Sequence, residues 1–486
     1  MNARESFHDH SDIESRMQAT LAAQKADFLS GAPVSADQRR DRLNRGIDVL
    51  LRYQDRLVEA LHSDFGCRSR EATLLTDIAA AITPMKYAAR NLRRWMKGER
   101  RPTLFPLNLL GGRSRIEYQP LGVVGVISPW NFPVNLTFGP LAGILAAGNR
   151  AMIKPSEFTP ATAEVMAEMV KDAWEENEVA IFAGGPEVGV SFSGLAFDHL
   201  LFTGATSVAR HIMAAAARNL VPVTLELGGQ SPVIISRSAD LGQALGRIML
   251  GKTLNAGQIC LAPDYLLVPE EKLHDVIEAA QATVATMYPT LLGNPQYTSV
   301  INERHLERLQ GYLQEAEERG IKTLALNPGN EDFSQQQGTR KLPPTLVLEP
   351  ADDLKLMQEE IFGPLLPIRT YREFEETIAY VNANPRPLAA YYFGEDRAEE
   401  EAVLTRTTSG GVCINDVLMH VMQEELPFGG VGASGMGAYH GHEGFKTFSH
   451  VKSIYRQTNA NVARMGGLLP PYNRTTERSI RTQLRK

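Results

Sequence analysis

The sequence predicts an α/β protein built from two doubly wound domains. At 486 residues the chain is too long for a single hydrophobic core, so two or three domains are expected. From Leu121 onward, short apolar runs alternate with helical segments, which is typical of βαβ units around a mainly parallel sheet. Sheets of this kind bind ligands at the carboxyl ends of their strands.

Composition limits the classes of function. Hydrophobic residues make up 43% and charged residues 22% of the chain, and the net charge of -6 gives no basic footprint for a nucleic acid. No uncharged apolar run reaches the roughly 18 residues of a membrane helix, and the first residues lack the apolar core of a signal peptide. Cys67, Cys260 and Cys413 share no close spacing and no zinc motif is present, so neither a disulfide framework nor a metal site is expected. We therefore expect a soluble, cytoplasmic protein with no nucleic-acid or membrane partner.

The first hundred residues are predicted to be mostly helical. Between Ser35 and Leu61, apolar residues recur at spacings near three, four and seven, as on one face of an amphipathic helix. A stop is predicted at Phe65-Gly66. This layer is expected to be structural.

The next segment is predicted to alternate between strands and helices. Strands are expected at 121–128, 151–154, 178–182, 199–203 and 222–226, and helices at 136–147, 160–175 and 207–220. Several strands end in polar or small residues, namely Ser128, Lys154, Thr203-Gly204 and Glu226. These residues are therefore candidates for ligand contacts.

A second α/β domain is predicted to begin near Gly229. Strands are expected at 233–236 and 265–268, and helices at 239–254, 270–287, 304–319 and 373–383. Residues 327–338 are predicted to form a surface loop. Four arginines at helical spacing after residue 473 predict a solvated terminal helix, which we favour over membrane attachment.

Cys260 and Glu226 are the candidate catalytic pair. A cysteine among small apolar residues is often an inert core residue, but the preceding Asn-Ala-Gly-Gln could supply backbone N–H groups to a thiolate or oxyanion. Glu226 could merely cap a neighbour, yet its apolar surroundings should raise its pKa and favour a base. Together the two suit covalent catalysis through a thioester.

Other motifs supply candidates for oxyanion and cofactor contacts. Asn131 lies in a rigid turn after a strand, where its amide could donate to an oxyanion or serve the turn alone. Lys154 and Glu157 could bind sugar hydroxyls or phosphates, and Thr203-Gly204 precedes a helix N-terminus suited to pyrophosphate. The stretch from Gly430 to Gly435 matches G-x-G-x-x-G without its strand context, so we interpret it as a mobile loop.

Seven of these motifs, in this order, resemble the aldehyde dehydrogenase superfamily over nearly the whole chain. They are Ser128-Pro-Trp-Asn-Phe-Pro, Lys154-Pro-Ser-Glu, Phe202-Thr-Gly-Ala-Thr, Leu225-Glu-Leu-Gly-Gly, Gly257-Gln-Ile-Cys, Glu360-Ile-Phe-Gly-Pro and Pro427-Phe-Gly-Gly. Further passages, such as Ala262-Pro-Asp-Tyr, resemble the class 3 branch and, within it, bacterial coniferyl aldehyde dehydrogenases. The resemblance implies a Rossmann-like cofactor domain and a catalytic α/β domain.

The resemblance also implies a role for each matching residue. Cys260 would be the nucleophile and Glu226 the base, with Asn131 and the Cys260 N–H as the oxyanion hole. The cofactor-binding residues would be Trp130, Lys154, Glu157, Thr203, Gly204, Glu360 and Phe362. The cofactor would be NAD, because Glu157 would repel the 2′-phosphate of NADP. NADP is also possible, since class 3 members often use it. The substrate would be an aldehyde, and an aromatic one such as coniferyl aldehyde is favoured over a medium- or long-chain aliphatic one.

The family's shape implies the division of the chain. Residues 1–101 and 121–228 would form the cofactor domain and 229–433 the catalytic domain. Residues 102–120 and 448–458 would form β arms that join two subunits into a homodimer, followed by a tail at 459–486.

Ala205 and Ala209 depart from the family's pyrophosphate motif. An acyl-CoA-forming enzyme, a cofactor-independent cysteine hydrolase or amidase, and a non-catalytic relative remain alternatives.

Overall fold

The structure is a computed structural model that describes residues 3–105, 107–336 and 338–485. Met1 and Asn2 of the predicted cofactor domain lie outside the described residues. So do Pro106 of the predicted arm, Gln337 of the predicted surface loop and Lys486 of the predicted tail.

The helices and strands follow each other along the chain in the order that the sequence patterns predict for α/β units. The helices are α1 (Ala3–Ser30), α2 (Ala36–Phe65), α3 (Arg70–Thr73), α4 (Ala80–Trp95), α5 (Asn135–Ala147), α6 (Pro160–Ala173), α7 (Pro186–Ser193), α8 (Thr206–Ala217), α9 (Leu241–Thr253), α10 (Leu273–Met287), α11 (Glu303–Glu318), α12 (Lys355–Gln358), α13 (Phe374–Ala383), α14 (Arg397–Arg406), α15 (Gly441–Thr447), α16 (Val462–Met465) and α17 (Arg474–Gln483). The strands are β1 (Glu99–Arg101), β2 (Arg113–Pro120), β3 (Val123–Ile127), β4 (Arg150–Lys154), β5 (Val179–Ile181), β6 (His199–Thr203), β7 (Val223–Glu226), β8 (Pro232–Ile235), β9 (Tyr265–Pro269), β10 (Thr323–Ala325), β11 (Thr345–Leu348), β12 (Leu365–Tyr371), β13 (Ala389–Phe393), β14 (Gly411–Ile414), β15 (Gly435–Met436) and β16 (Ser449–Arg456).

Within the described residues, a six-stranded sheet has the order β15-β7-β6-β3-β4-β5 and is parallel except for β15. The register pairs Ile127 with both Lys154 and Phe202, and Thr203 with Glu226. The carboxyl ends of β3, β4, β6 and β7 therefore meet at one edge. The polar residues that end these strands therefore lie at the same edge of the sheet.

A seven-stranded sheet, again counted over the described residues, has the order β10-β11-β12-β9-β8-β13-β14 and is parallel except for β10. It begins with β8, six residues after β7 ends in the first sheet. The two doubly wound sheets confirm the predicted α/β class. The sequence patterns did not identify β11, β12, β13 and β14.

A three-stranded antiparallel sheet with the order β1-β2-β16 joins residues far apart in the chain. β1 pairs with β2 as a hairpin whose register matches Arg101 with Ser114. β16 then pairs along the whole of β2, from Pro120 to Arg113. One long edge of β16 has no strand neighbour in the part of the chain that is described.

The capping residues of α2 explain why it forms where the periodicity predicts. The Ser35 side chain accepts from the Gln38 backbone N–H, and Gln38 returns a bond to the Ser35 N–H. Gly66 ends the helix with a φ of 78°, a left-handed conformation that glycine adopts readily. The predicted apolar face is buried: Leu43, Ile47, Leu50, Leu57 and Leu61.

The glycine-rich stretch at 430–435 differs from its prediction. Gly435 pairs with Glu226 and Met436 with Leu225, so the end of this stretch is a strand of the six-stranded sheet. A Cβ at Gly435 would lie 2.4 Å from the Leu225 carbonyl oxygen, and only glycine allows this approach. The interpretation as a mobile loop is therefore wrong at this position.

The terminal helix α17 is mostly exposed, as predicted. None of the helices in the described ranges combines the length and the apolar character that a membrane crossing requires.

Candidate active site

The loop that carries Cys260 is a strained turn between α9 and β9. Asn255 and Ala256 both have a φ of 52°, which costs a non-glycine residue about 1–3 kcal/mol. The buried Gln258 holds the turn, because its side-chain amide donates to the Asn255 carbonyl (2.8 Å) and the Ser299 carbonyl (3.1 Å). The surrounding structure therefore fixes where the thiol lies.

Gly257 brings this turn against a second segment. Its φ is 70°, and a Cβ would lie only 2.3 Å from the Gly363 carbonyl oxygen. No other residue fits this contact. The Cys260 turn and the Glu360–Gly363 segment are therefore packed backbone to backbone.

The predicted N–H donors before Cys260 are not all available. The Gln258 N–H donates to the Asn255 carbonyl at 3.1 Å, so this part of the prediction is wrong. The N–H groups of Cys260 and Leu261 approach the sulfur instead.

Asn131 lies in the turn after β3 and is buried. Its Nδ2 donates to the Gln258 carbonyl at 3.1 Å, which uses one of its two N–H bonds and places the amide beside the Cys260 turn. The buried Arg68 donates to the Asn131 carbonyl at 2.8 Å and forms a 2.5 Å ion pair with the buried Asp77. Sequence reasoning missed Arg68 and Asp77, because their spacing resembles that of ordinary surface charges.

Glu226 ends β7 with its side chain buried. Neither of its carboxylate oxygens has a hydrogen-bond partner in the described part of the chain. Burial raises the pKa of Glu226 well above the ordinary value for a glutamic acid. The apolar surroundings read from the sequence therefore have the expected effect.

Glu360 lies beside Gly228, just beyond the end of β7. A Cβ at Gly228 would lie 2.1–2.4 Å from the Glu360 carboxyl atoms, so glycine makes room for this side chain. Glu360 Oε1 is buried and, among the described residues, has no hydrogen-bond partner. Burial and the negative charge of Asp264 raise the pKa of Glu360 to about 8.

The segment after Glu360 is held from the seven-stranded sheet and from α11. Asp264 Oδ1 accepts from the Ile361 N–H at 3.2 Å, and Arg308 donates to the Ile361 carbonyl at 2.8 Å. Phe362 has a φ of 46°, which is unfavourable for a bulky residue, and its ring meets that of Trp130 edge-on at 5.3 Å. Such over-determined strain is typical of ligand sites.

The charges of Glu360 and Glu226 both act on Cys260. Burial is the largest cause that raises the pKa of the Cys260 thiol, followed by the charge of Glu360 and then that of Glu226. The structure therefore brings together the predicted nucleophile, the predicted base and a second carboxyl group.

The remaining predicted contacts line the neighbouring strand ends of the six-stranded sheet. Lys154 Nζ forms a 2.9 Å ion pair with Glu157, and Thr203 Oγ1 is buried with no hydrogen-bond partner within the described residues. Gly204 N donates to the Glu226 carbonyl at 3.0 Å. Orphaned oxygens on Thr203 and Glu360 and a half-buried Lys154–Glu157 pair fit the hydroxyl and phosphate groups of a dinucleotide.

Ala205 and Ala209 modify the predicted pyrophosphate contact. Ala205 is the N-cap of α8 and offers no side-chain cap, so the first N–H groups of the helix stay available to an anion. Ala209 is buried, and its methyl group packs with the apolar cluster under the sheet.

Five rings form an aromatic wall beside the Cys260 turn: Tyr391, His420, Phe428, Tyr439 and His440. Reciprocal backbone bonds of 2.7 and 2.8 Å join Phe428 and Tyr439, and the His440 ring stacks on Phe428 at 5.1 Å. The Tyr391 hydroxyl donates to the Leu261 carbonyl at 2.6 Å. Sequence reasoning assigned no role to these histidines, because their grouping around Phe428 has no linear signal.

The fold and the site define an α/β oxidoreductase with two mainly parallel sheets and a thiol that lies close to two carboxyl groups. The sequence pattern of the aldehyde dehydrogenase family matches residues 5–454. The chain belongs to the aldehyde dehydrogenase family.

Individual relatives support this assignment. A protein named "Probable coniferyl aldehyde dehydrogenase" from Caulobacter vibrioides is 56% identical over 471 residues, which cover 97% of both chains. A "Coniferyl aldehyde dehydrogenase" from Pseudomonas sp. is 53% identical over 440 residues, or 90% of each chain. A solved structure described as "Substrate bound state of Staphylococcus Aureus AldH" has a TM-score of 0.88 at 37% identity, covering 96% of this chain and 99% of that one.

Proposed function

We propose that this enzyme oxidises aromatic aldehydes, with coniferyl aldehyde as the reference substrate, to carboxylic acids through a thioester on Cys260. One observation carries the proposal: the Cys260 turn packs on the Glu360–Gly363 segment through Gly257, and the Glu360 carboxyl group lies beside Gly228, two residues after the buried Glu226. A soft nucleophile beside a buried carboxyl group, at the strand ends where dinucleotides bind, suits oxidation followed by hydrolysis.

The first half of the reaction uses Cys260 and Asn131. The Cys260 thiolate adds to the aldehyde carbon, and the oxyanion that forms accepts from the free N–H of Asn131 and from the Cys260 backbone N–H. Pre-positioned donors of this kind are worth about 2.7–4 kcal/mol of transition-state stabilisation. Gln258 and Arg68 hold Asn131 in place, which limits the reorganisation needed at this step.

The second half uses Glu226. When bound, the nicotinamide cofactor supplies the acceptor for the hydride that leaves the Cys260 adduct. The resulting thioester is attacked by water, and the carboxylate form of Glu226 takes the proton of that water. A raised pKa makes this carboxylate a stronger base once it is ionised. Collapse of the second tetrahedral adduct releases the acid and restores the Cys260 thiolate.

The cofactor is assigned as NAD, with NADP as a second possibility, in line with the family. Lys154 and Glu157 would hold the adenosine ribose, Thr203 and Gly204 would approach the pyrophosphate, and Glu360 would hold the nicotinamide ribose. Trp130 and Phe362 would flank the nicotinamide end. The carboxylate of Glu157 would repel a 2′-phosphate, which favours NAD.

The substrate class rests on the relatives and on the aromatic wall. Two relatives above 50% identity carry the name coniferyl aldehyde dehydrogenase. The wall offers ring surfaces suited to a flat aromatic substrate. An aliphatic substrate is the second candidate, since an aromatic wall also accepts apolar chains.

A steady-state panel tests the proposal. Coniferyl aldehyde, benzaldehyde and hexanal are each offered with NAD and with NADP, and NADH or NADPH formation is followed. We expect the highest kcat/KM for coniferyl aldehyde with NAD and no turnover without a nicotinamide. The Cys260→Ala variant should lose turnover but still bind NAD. Turnover in that variant, or a preference for hexanal, would contradict the assignment.

The domain division and the dimer are part of the same proposal. Residues 1–101 and 121–228 would bind the cofactor, and 229–433 would carry the thiol, consistent with the change of sheet between β7 and β8. The arms at 102–120 and 448–458 would join two subunits through β16. Its exposed apolar residues Val451 and Tyr455 suit such a contact.

A further inference from the structure

The aromatic wall contains buried polar atoms that no described residue satisfies. Both ring nitrogens of His420 and Nδ1 of His440 are buried without a hydrogen-bond partner in the described part of the chain. Oε2 of Glu424 is also buried without a partner among the described residues, although the Gly441 N–H acts on the same carboxyl group. Buried polar groups of native proteins are nearly always paired, so these atoms point to a ligand or to water.

The wall borders the reacting centre. The charges of Glu226 and Cys260 both raise the pKa of Tyr439, and the Tyr439 and His440 rings are 4.7 Å apart. On the other side, Tyr391 is bonded to the carbonyl of Leu261, the residue after the thiol, and its ring is 6.2 Å from that of His420. The rings of Tyr439 and Tyr391 therefore lie between the two imidazoles and the residues proposed to bind the aldehyde.

Both imidazoles are neutral at physiological pH. Burial lowers the pKa of His420 to about 4, and burial together with His420 lowers the pKa of His440 to about 4. A neutral imidazole presents one donor and one acceptor, which match the two roles of a hydroxyl group. Protonated imidazoles would instead attract a carboxylate, which is the group that the product carries and the substrate lacks.

Two residues next to or within the aromatic wall have strained backbone conformations. His440 has a φ of 106° and Leu418, just before His420, has a φ of 65°. Neither residue is a glycine, and such conformations persist where function requires a side chain in a particular place. One strained residue is therefore His440 itself, and the other lies two residues before His420.

We propose that His420 and His440 form the polar end of the aldehyde pocket and hydrogen-bond a ring hydroxyl of the substrate, whose ring lies against Phe428. The enzyme would thereby select 4-hydroxyphenyl aldehydes over aldehydes that lack the hydroxyl. This inference rests on the proposed aromatic aldehyde oxidation. Its two histidines are positioned to bind the ring end of the substrate and take no part in the chemistry at Cys260.

The experiment compares three aldehydes that share the same reacting end. Cinnamaldehyde, 4-hydroxycinnamaldehyde and 4-methoxycinnamaldehyde are offered to the full-length enzyme with NAD. The hydroxylated aldehyde should have a kcat/KM about tenfold above both others, since cinnamaldehyde leaves both imidazoles unpaired and a methoxy group has no O–H to donate to the acceptor nitrogen. Equal kcat/KM values for the three would overturn the inference, and this arm needs no variant.

Variants localise the effect. His420→Phe and His440→Phe keep the ring packing and remove the nitrogens. Each should lower kcat/KM for 4-hydroxycinnamaldehyde by about tenfold and change that for cinnamaldehyde by less than about twofold. His274→Phe, at an exposed position of α10, is the matched control and should change neither. Equal losses on both substrates would show a merely structural role.

The outcomes separate the two levels of the proposal. Oxidation of all three cinnamaldehydes without a preference for the hydroxyl would refute the role of the histidines and leave aromatic aldehyde oxidation standing. Failure to oxidise any of them would refute the proposed function itself.

Discussion

Replacing Gly228 by alanine tests how the protein makes room for Glu360. The new Cβ would lie 2.1 Å from Glu360 Oε1 and 2.2 Å from Oε2, far inside any contact distance. The obstacle is the end of a flexible side chain and the φ of Gly228 is not in the left-handed region, so the backbone need not move. Glu360 must therefore leave its place while the fold stays intact.

The size of the effect follows from what Glu360 would bind. Above about pH 8, where Glu360 is ionised, a hydrogen bond to its carboxylate contributes about 1.5–3 kcal/mol. Losing one such bond to the nicotinamide ribose would weaken NADH binding by about 10- to 150-fold. Isothermal titration calorimetry of the cofactor-free enzyme with NADH measures the change directly.

Two controls identify the cause. Gly246→Ala, in the middle of α9 with nothing near its Cβ position, should leave binding unchanged and stabilise the fold by about 0.5–1 kcal/mol. In a Glu360→Ala background, Gly228→Ala should add little, because the displaced carboxyl group is already absent. A full additional loss in that background would refute the displacement argument.

The remaining predictions concern the thiol, a buried ion pair and the arm. In a variant that keeps only Cys260, alkylation by iodoacetamide should keep rising through pH 9, about tenfold per pH unit, because burial and two carboxyl charges raise the thiol pKa above its ordinary value. Glu360→Gln removes one of these charges and lowers that pKa, so alkylation should be faster above about pH 8, where Glu360 is ionised; an unchanged rate there would count against the charge effect. Asp77→Asn should lower the free energy of unfolding in urea by about 3–5 kcal/mol, since it leaves Arg68 buried without its counter-charge, and a loss below about 1 kcal/mol would contradict this. Val451→Lys together with Tyr455→Glu on β16 should halve the mass measured by light scattering, whereas an unchanged mass would place the dimer contact elsewhere.

The parts of the fold that the sequence predicts best have a local periodic signal. The helix α2 begins and ends at capping residues, Ser35 and Gly66, that are visible in the sequence. β6 was predicted to the residue, because an apolar run stops at Thr203-Gly204. β11 to β14 were missed, since short buried strands differ little from other apolar segments.

The site residues likewise divide into those with a local sequence signal and those without one. Cys260, Glu226 and Asn131 lie where strands or turns end, so their placement could be inferred from the order of elements. The pairing of Gly435 with Glu226 and the support of Asn131 by Arg68 depend on contacts between residues far apart in the chain. The grouping of rings around Phe428 could not be inferred from the sequence either. His420 and His440 are 20 residues apart, and their rings approach the same phenylalanine from separate segments.

The central claim is that oxidation proceeds through an acyl group on Cys260 that Glu226 helps to release. Intact-protein mass spectrometry of the Glu226→Gln variant, mixed with cinnamaldehyde and NAD, tests it most directly. We predict that one cinnamoyl group per chain accumulates, that peptide mapping places it on Cys260, and that it forms only when NAD is present. An acyl group on another residue, one that forms without NAD, or no adduct at all alongside continued NADH production would contradict the account.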